Sequence, residues 1–186
     1  MSKLIIIDNY DSFTYNLVHY LEPYCKELLV FRNDHILHNK ISNNHKILLS
    51  PGPGLPSDNE ELLKVIDKYY PTNNILGVCL GFQAIGEYFG ASLFNLQKVR
   101  HGIQTKLQVL NHEILFRDLP QNFLIGHYHS WILKNLPNFL VVSAVDYDNN
   151  VMAFKHKDFS IYGIQFHPES ILTENGQQIL KNWIKS

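Results

Sequence analysis

Short aliphatic runs alternate with amphipathic stretches through the first half of the chain, and this alternation predicts strands followed by helices. Lys3 to Ile7 has no polar face, as a central parallel strand covered on both sides requires. Asp8 to Ser12, DNYDS, breaks that run with carboxylates and a hydroxyl at the carboxyl end of the strand, where a helix from about Phe13 to Pro23 can be capped. Leu28 to Phe31 reads as a second strand and Ile47 to Ser50 as a third. A rigid loop, Ser50 to Ser57, and a helix from about Asn59 to Tyr69 follow. Ile75 to Val78 is a fourth buried run, with a helix predicted from Phe82 to Tyr88.

From about Ala91 to Val145 the texture changes to short alternating segments, GIQTKLQVL, FLIGHYHSW and FLVVSAVD, separated by turn-rich spacers such as DLPQN. They predict a β-rich extension of the same sheet. Asn149 to Lys157 reads as a hairpin arm, Ile161 to Phe166 as another buried strand and Gln177 to Ile184 as a terminal helix. The expected fold class is α/β: an open, mostly parallel central sheet with helices on both faces and a smaller antiparallel extension.

Bulk properties narrow the function classes. A chain of 186 residues with 45% hydrophobic content is expected to form one domain, spanning 1–186, with a substantial core. Sixteen basic residues against 17 acidic ones leave a formal charge of -1, with no basic stripe of the kind that nucleic acid requires. Two cysteines without metal-ligand spacing suit neither a disulfide scaffold nor a structural zinc site and fit a reducing compartment. The N-terminal aliphatic run is too short for a signal peptide or a membrane span. A cytoplasmic chain that engages neither membrane nor nucleic acid is therefore expected.

Three stretches carry candidate chemistry. In Ile75 to Gly86, Gly77, Cys79 and Gly81 have the spacing of a nucleophile elbow, in which small residues let a strand and the following helix approach closely. Such a turn lifts the Cys79 sulfur to a helix N-terminus, where free amides and the helix field favour a thiolate. Taken alone, the stretch suits a small buried core cysteine equally well. In Phe166 to Ser170, FHPES, Pro168 keeps His167 extended, so that His167 and Glu169 can point to one side and the carboxylate can fix the tautomer of a general base. A capping glutamate beside a core histidine is the plain alternative. The third stretch, Pro51 to Gly54, is a PGPG loop able to bring backbone amides to a ligand, or simply a stiff turn. It lacks the Lys and Ser or Thr of a phosphate loop, and no GxGxxG occurs in the chain. The Leu80 amide is the natural oxyanion donor, with a second donor from the Gly52 to Gly54 loop, Gly54 in particular. Cys25, in EPYCKELL, has no elbow around it and is assigned to packing.

GVCLGFQAIG, SPGPG, HYHS and QFHPES together resemble the motifs of the triad-type (class I) glutamine amidotransferases, which have a flavodoxin-like α/β fold. The opening LIIIDNYDSFTYNLV is similar to one branch of that family, the small glutamine-hydrolysing subunit of anthranilate synthase in the first place, with its near twin from aminodeoxychorismate synthase, or a subunit shared by both, as the alternative. The likeness runs from about Leu4 to the C-terminus. It implies Cys79 as nucleophile, His167 as base and then acid, and Glu169 as the residue that orients it. It further implies a glutamine site lined by Gly52, Pro53 and Gly54, with Gln83 on the amino acid portion of the substrate and Ser130 and Trp131 gripping it through backbone groups. The partner implied is a larger chorismate-aminating synthase subunit, and the glutaminase half reaction calls for no metal or organic cofactor. Phe82, His127 and Trp131 depart from the family pattern, where histidine, arginine and leucine are frequent, and altered packing or subunit contact with intact chemistry is expected. A thiol protease or acyl hydrolase, or a catalytically silent interaction subunit, are the rival classes.

Overall fold

In the computed structural model, which describes residues 1–97 and 99–186, adjacent side chains of the N-terminal aliphatic run enter opposite layers. That run is β1 (Ser2–Asp8), and it is followed by α1 (Thr14–Leu21), β2 (Cys25–Arg32), β3 (His45–Leu49), α2 (Glu60–Tyr69), β4 (Asn74–Val78) and α3 (Leu80–Tyr88). The β-rich part comprises β5 (Ser92–Val109), β6 (Asn122–Lys134), β7 (Leu140–Asp146), β8 (Val151–His156) and β9 (Ile161–Ile164), and α4 (Gly176–Ile184) comes last.

All nine strands form one sheet in the order β2-β1-β3-β4-β9-β8-β7-β5-β6. The pairings from β2 through β9 are parallel, and those from β9 to β6 are antiparallel. The strand period of two sorts the aliphatic residues into two cores. Leu4, Ile6, Leu48, Leu76 and Val78 pack with Leu17 and Leu21 of α1 and with Ile179, Leu180 and Trp183 of α4. Ile5, Ile7, Ile47, Leu49 and Ile75 pack on the other face with Leu62, Val65 and Ile66 of α2 and Leu80, Ala84 and Ile85 of α3. The sheet is thus covered on both sides along β1, β3 and β4, which is why these strands read as continuous apolar runs, while the edge strand β2 stays half-exposed.

Several boundaries differ from those expected, each for a local reason. The first helix stops at Leu21, and Pro23 lies in a separate 3₁₀ turn, Glu22–Tyr24, because its ring lacks the N–H that a continuing helix needs. The helix after the elbow starts at Leu80, two residues before the expected Phe82, since Cys79 itself is its N-cap. The last strand ends at Ile164 rather than Phe166, although the Gln165 amide still donates to the Met152 carbonyl at 2.8 Å. In place of short segments, β5 and β6 are long partners of 18 and 13 residues. Their register is interrupted between Asn95 and Arg100 and between His101 and Ile103, and such irregularities let a long ribbon bend. Arg100 anchors the first interruption by reaching the carboxylates of Asp146 and Asp148, while its guanidinium lies over the Tyr147 ring.

Among the described residues, no helix is long and apolar enough to cross a membrane. None of their His, Cys, Asp and Glu side chains gather in groups of three or more that could hold a metal ion.

Candidate active site

Four loops meet at the carboxyl edge of the parallel strands, where open α/β sheets gather ligands. They follow β1, β3, β4 and β9, which stand side by side with β4 between β3 and β9. The loop after β4 is the elbow. Cys79 has φ 51° and ψ -100°, a left-handed conformation rarely adopted by a residue with a side chain. The surroundings enforce it. A Cβ placed on Gly77 would lie 2.4 Å from the Gly81 carbonyl, and one on Gly81 would lie 2.4 Å from the Leu49 carbonyl. Only bare backbone fits between β3, β4 and the start of α3. Gly81→Ala is accordingly expected to lower the unfolding free energy by about 3 kcal/mol, as overpacking against rigid backbone does. Denaturant unfolding of the variant measures this, and a loss below about 1 kcal/mol would show that the elbow can relax.

Cys79 is buried, and its amide donates to the Ile164 carbonyl of β9 at 2.9 Å, which ties the elbow to the strand that leads into the histidine loop. His167 is buried as well, and its Nδ1 lies 2.6 Å from Glu169 Oε1. A carboxylate can only accept, so Nδ1 holds the proton and Nε2 is left to exchange one. That Nε2 has no hydrogen-bond partner among the described residues. Burial pushes the His167 imidazolium down, but the neighbouring Cys79 sulfur and the Glu169 carboxylate outweigh it and hold the histidine well above its ordinary value. Tyr128 sets its ring edge-on to His167, centroids 4.9 Å apart, with its hydroxyl 3.0 Å from Ser170 Oγ. A sulfur at a helix N-terminus, an imidazole able to take its proton and a buried carboxylate behind the imidazole are the parts of a nucleophilic acyl-transfer site.

Two cavities flank the sulfur. One, of about 390 Å³, is bounded by Gly52, Pro53, Gly54, Leu55, Gln83 and the β6 segment from Tyr128 to Trp131. The other, of about 320 Å³, lies on the His167 side and is walled by Asp11, Phe13, His101 and Tyr128. Cys79, Gly52, Pro53 and Tyr128 border both. Every residue singled out on the PGPG loop, together with Cys79, Gln83, Ser130 and Trp131, therefore borders the first cavity. His167 borders the second, and Glu169 stands behind it.

The two loop glycines are placed differently. A Cβ on Gly52 would lie 3.0 Å from the Leu80 side chain and 2.5 Å from the Asn9 carbonyl, so Gly52 is wedged between the helix start and the β1 loop. Gly54 forms the outer bend at φ +79°, beside Asp58, whose carboxylate accepts from the Leu55 amide at 2.9 Å. Ser130 owes its position to the interruption in β5. The register steps from Asn95↔Trp131 to Arg100↔His129, and Ser130 pairs with no described residue across the ladder.

Of the departures from the family pattern, Phe82 is fully buried and stacks on Phe154 with centroids 4.8 Å apart, so it belongs to internal packing and touches no outer surface. His127 is likewise internal, bonded to Thr105 Oγ1 at 2.6 Å and to His129 Nε2 at 2.9 Å.

Sequence reasoning passed over three contributors. Asn9 braces the PGPG loop by donating from its backbone to Ser50 Oγ at 2.9 Å and from its amide to the Ser50 carbonyl at 2.8 Å. Asp11 reaches the wall of the second cavity, where burial raises its carboxyl above the usual range. Gln165 donates from Nε2 to the Cys79 sulfur at 3.7 Å. The signals were present in DNYDS and QFHPES, but polar residues at strand ends are too common for their type alone to single them out.

The profile of the family described as glutamine amidotransferase class-I matches residues 5–186. The chain is a class I glutamine amidotransferase by family. Among its relatives, anthranilate synthase component 2 of Porphyra purpurea is 45% identical over 188 residues, covering 98% of this chain and 99% of the relative. The aminodeoxychorismate/anthranilate synthase component 2 of Bacillus subtilis is 38% identical over 189 residues, covering 98% and 96%. A solved structure from Thermoplasma acidophilum, provisionally named as part of a GMP synthase, superposes with a TM-score of 0.89 at 30% identity, covering 100% of this chain and 93% of the other. This amidotransferase accordingly has the mixed α/β sheet of its family, and by sequence it is closely related to the component 2 proteins of anthranilate and aminodeoxychorismate synthases.

Proposed function

We propose that this amidotransferase hydrolyses glutamine to glutamate and hands the ammonia to a larger chorismate-aminating subunit that makes anthranilate. The observation that carries the glutaminase reading is the buried series Cys79, His167 and Glu169 at an elbow bordered by a cavity with room for an amino acid. The choice of acceptor is supported by the full-length likeness to component 2 proteins of anthranilate synthase.

The reaction follows from the atoms in place. His167 Nε2 takes the Cys79 proton, and the sulfur attacks the side-chain amide carbon of glutamine. The oxyanion draws on the Leu80 amide, which belongs to the first helical turn where N–H groups have no partner within the helix. The Gly52 to Gly54 loop supplies the second donor, and Gly52 is the residue packed against Leu80. His167 returns its proton to the departing nitrogen, ammonia leaves and a γ-glutamyl thioester remains. Water, deprotonated by the same imidazole, then cleaves the thioester to glutamate and restores the thiol.

Gln83 meets the substrate through its carbonyl. Its Nε2 hydrogens go to the Trp131 carbonyl at 3.0 Å and to Gln165 Oε1 at 3.2 Å, which leaves Oε1 as an acceptor suited to the α-ammonium of glutamine. Ser130 offers backbone groups that pair with no described residue across the ladder, whereas the Trp131 carbonyl is already taken by Gln83 and His129. The grip at this point is thus assigned to Ser130 first.

The isolated chain is expected to hydrolyse glutamine slowly and to speed up at least ~10-fold when a chorismate-aminating subunit docks over the cavities and excludes water. Mixing the chain with candidate large subunits, chorismate and glutamine, and identifying the product, tests both parts. Anthranilate supports the reading. Aminodeoxychorismate moves it to the second acceptor, for which the doubly named Bacillus subtilis relative is the reason to look. Glutaminase at full rate in the isolated chain, indifferent to every such subunit, would overturn the coupling.

A further inference from the structure

One backbone carbonyl gives direction to a buried polar chain that ends on the nucleophile. The Trp131 carbonyl accepts on two sides, from His129 Nδ1 at 3.0 Å and from Gln83 Nε2 at 3.0 Å. A carbonyl cannot donate, so both neighbours must. His129 therefore carries its proton on Nδ1. Burial lowers His129 to about 3 and His127 to about 4, and two neutral imidazoles in series leave one consistent arrangement. His127 Nδ1 donates to His129 Nε2 at 2.9 Å, and the Thr105 hydroxyl donates to His127 Nε2 at 2.6 Å. That arm anchors the carbonyl.

The other arm runs to the sulfur. Gln83 gives one Nε2 hydrogen to Trp131 and the other to Gln165 Oε1 at 3.2 Å. With its oxygen held there, Gln165 must present its own Nε2 to Cys79, whose Sγ lies 3.7 Å away. Reversing Gln165 would set its nitrogen against the Gln83 nitrogen, two donors face to face. The sulfur thus meets a hydrogen-bond donor whose direction the Trp131 carbonyl fixes through Gln83.

We propose that Gln165 is a further catalytic residue of this site, a donor whose hydrogen bond holds the Cys79 sulfur as an acceptor and so favours the thiolate partner of the His167 imidazolium. Gln83, His129 and His127 are positioning residues that act through it. The role deepens the glutaminase reading and rests on it only for the identity of the reaction served. A hydrogen bond to the charged form of an acid favours ionisation, whichever acyl group the sulfur attacks.

The test reads the sulfur without substrate or partner. Alkylation of Cys79 by iodoacetamide is followed against pH by mass spectrometry of the Cys79 peptide, so that Cys25, whose thiol burial pushes up to about 11, is scored separately. Gln165→Met keeps the length and loses the donor, and it is expected to move the midpoint of the Cys79 profile upward by about one pH unit. Gln83→Met frees Gln165 to turn and should move the midpoint the same way by less. Tyr10, Asp11, His101, Tyr128, His129 and His167, the other ionisable groups lining the two cavities beside this sulfur, are unchanged in sequence in both variants. Should Gln165→Met fail to fold, the native chain decides: alkylating Cys79 should shift the side-chain amide resonances of Gln165. An unmoved midpoint in a folded variant, or unmoved Gln165 resonances, would overturn the role. Either result stands whether or not the chain hydrolyses glutamine, and the glutaminase reading in turn survives an unmoved midpoint.

Discussion

Cys79→Ala is expected to abolish glutamine-dependent synthesis by the assembled complex while ammonia-dependent synthesis by the large subunit continues. The side chain is buried between two cavities and contributes little packing that alanine cannot replace, so the fold should persist. What disappears is the covalent intermediate, and with it a contribution of roughly 10³-fold or more to the rate. The two activities separate because the thiolate is needed only to release ammonia. Paired assays, one supplied with glutamine and the other with an ammonium salt at alkaline pH, make the measurement. More than about a tenth of the glutaminase rate remaining in clean Cys79→Ala protein would remove Cys79 from the mechanism.

Glu169→Gln is expected to reduce turnover by roughly 10²-fold, less than the loss of Cys79, with the fold intact. Glutamine fills the same space, but it can turn an N–H toward His167 Nδ1 and so favour the tautomer with its proton on Nε2, the nitrogen that must receive one from the sulfur. The substitution also removes one of the two charges that hold His167 above its ordinary value. A histidine raised on folding contributes stability that is fully present below its unfolded value of about 6.5 and is lost as pH rises through the folded one. The stability gap between the native chain and Glu169→Gln should therefore be widest near pH 6 and shrink toward alkaline pH. Denaturant unfolding at a series of pH values checks the trend, and a gap that widens with pH would contradict the assignment.

The elbow was legible in the sequence because its rule is local. Gly77, Cys79 and Gly81 must be small around one turn whatever the rest of the chain does, and the 2.4 Å approaches at both glycines are that rule in three dimensions. The parallel half of the sheet was legible for a similar reason, since strands buried on both faces have no polar positions to confuse with a helix. The β5 interruption was not. Nothing in LFNLQKVRHG states that the register will slip between Asn95 and Arg100, because the slip depends on β6 and on Asp146 and Asp148 waiting for Arg100. Gln165 was hidden by direction rather than position. A glutamine amide has a donor end and an acceptor end, and which of them meets the sulfur is decided by the Trp131 carbonyl and Gln83, residues far from Gln165 in sequence.

The strand order has a consequence for synthesis. Chains emerge from the ribosome N-terminus first, and contacts distant in sequence are slow to form. β9, which completes the seam between β4 and β8, is the last strand to be made. Until it inserts, the nascent chain carries Cys79 without the Ile164 carbonyl that ties the elbow and without the imidazole of His167. The edge of β4 stays unpaired over the same interval, open to the sticking that unfinished sheets suffer. One late event therefore ends both exposures: the step that closes the sheet also brings His167 beside Cys79, so the two side chains meet only in a chain whose sheet is complete.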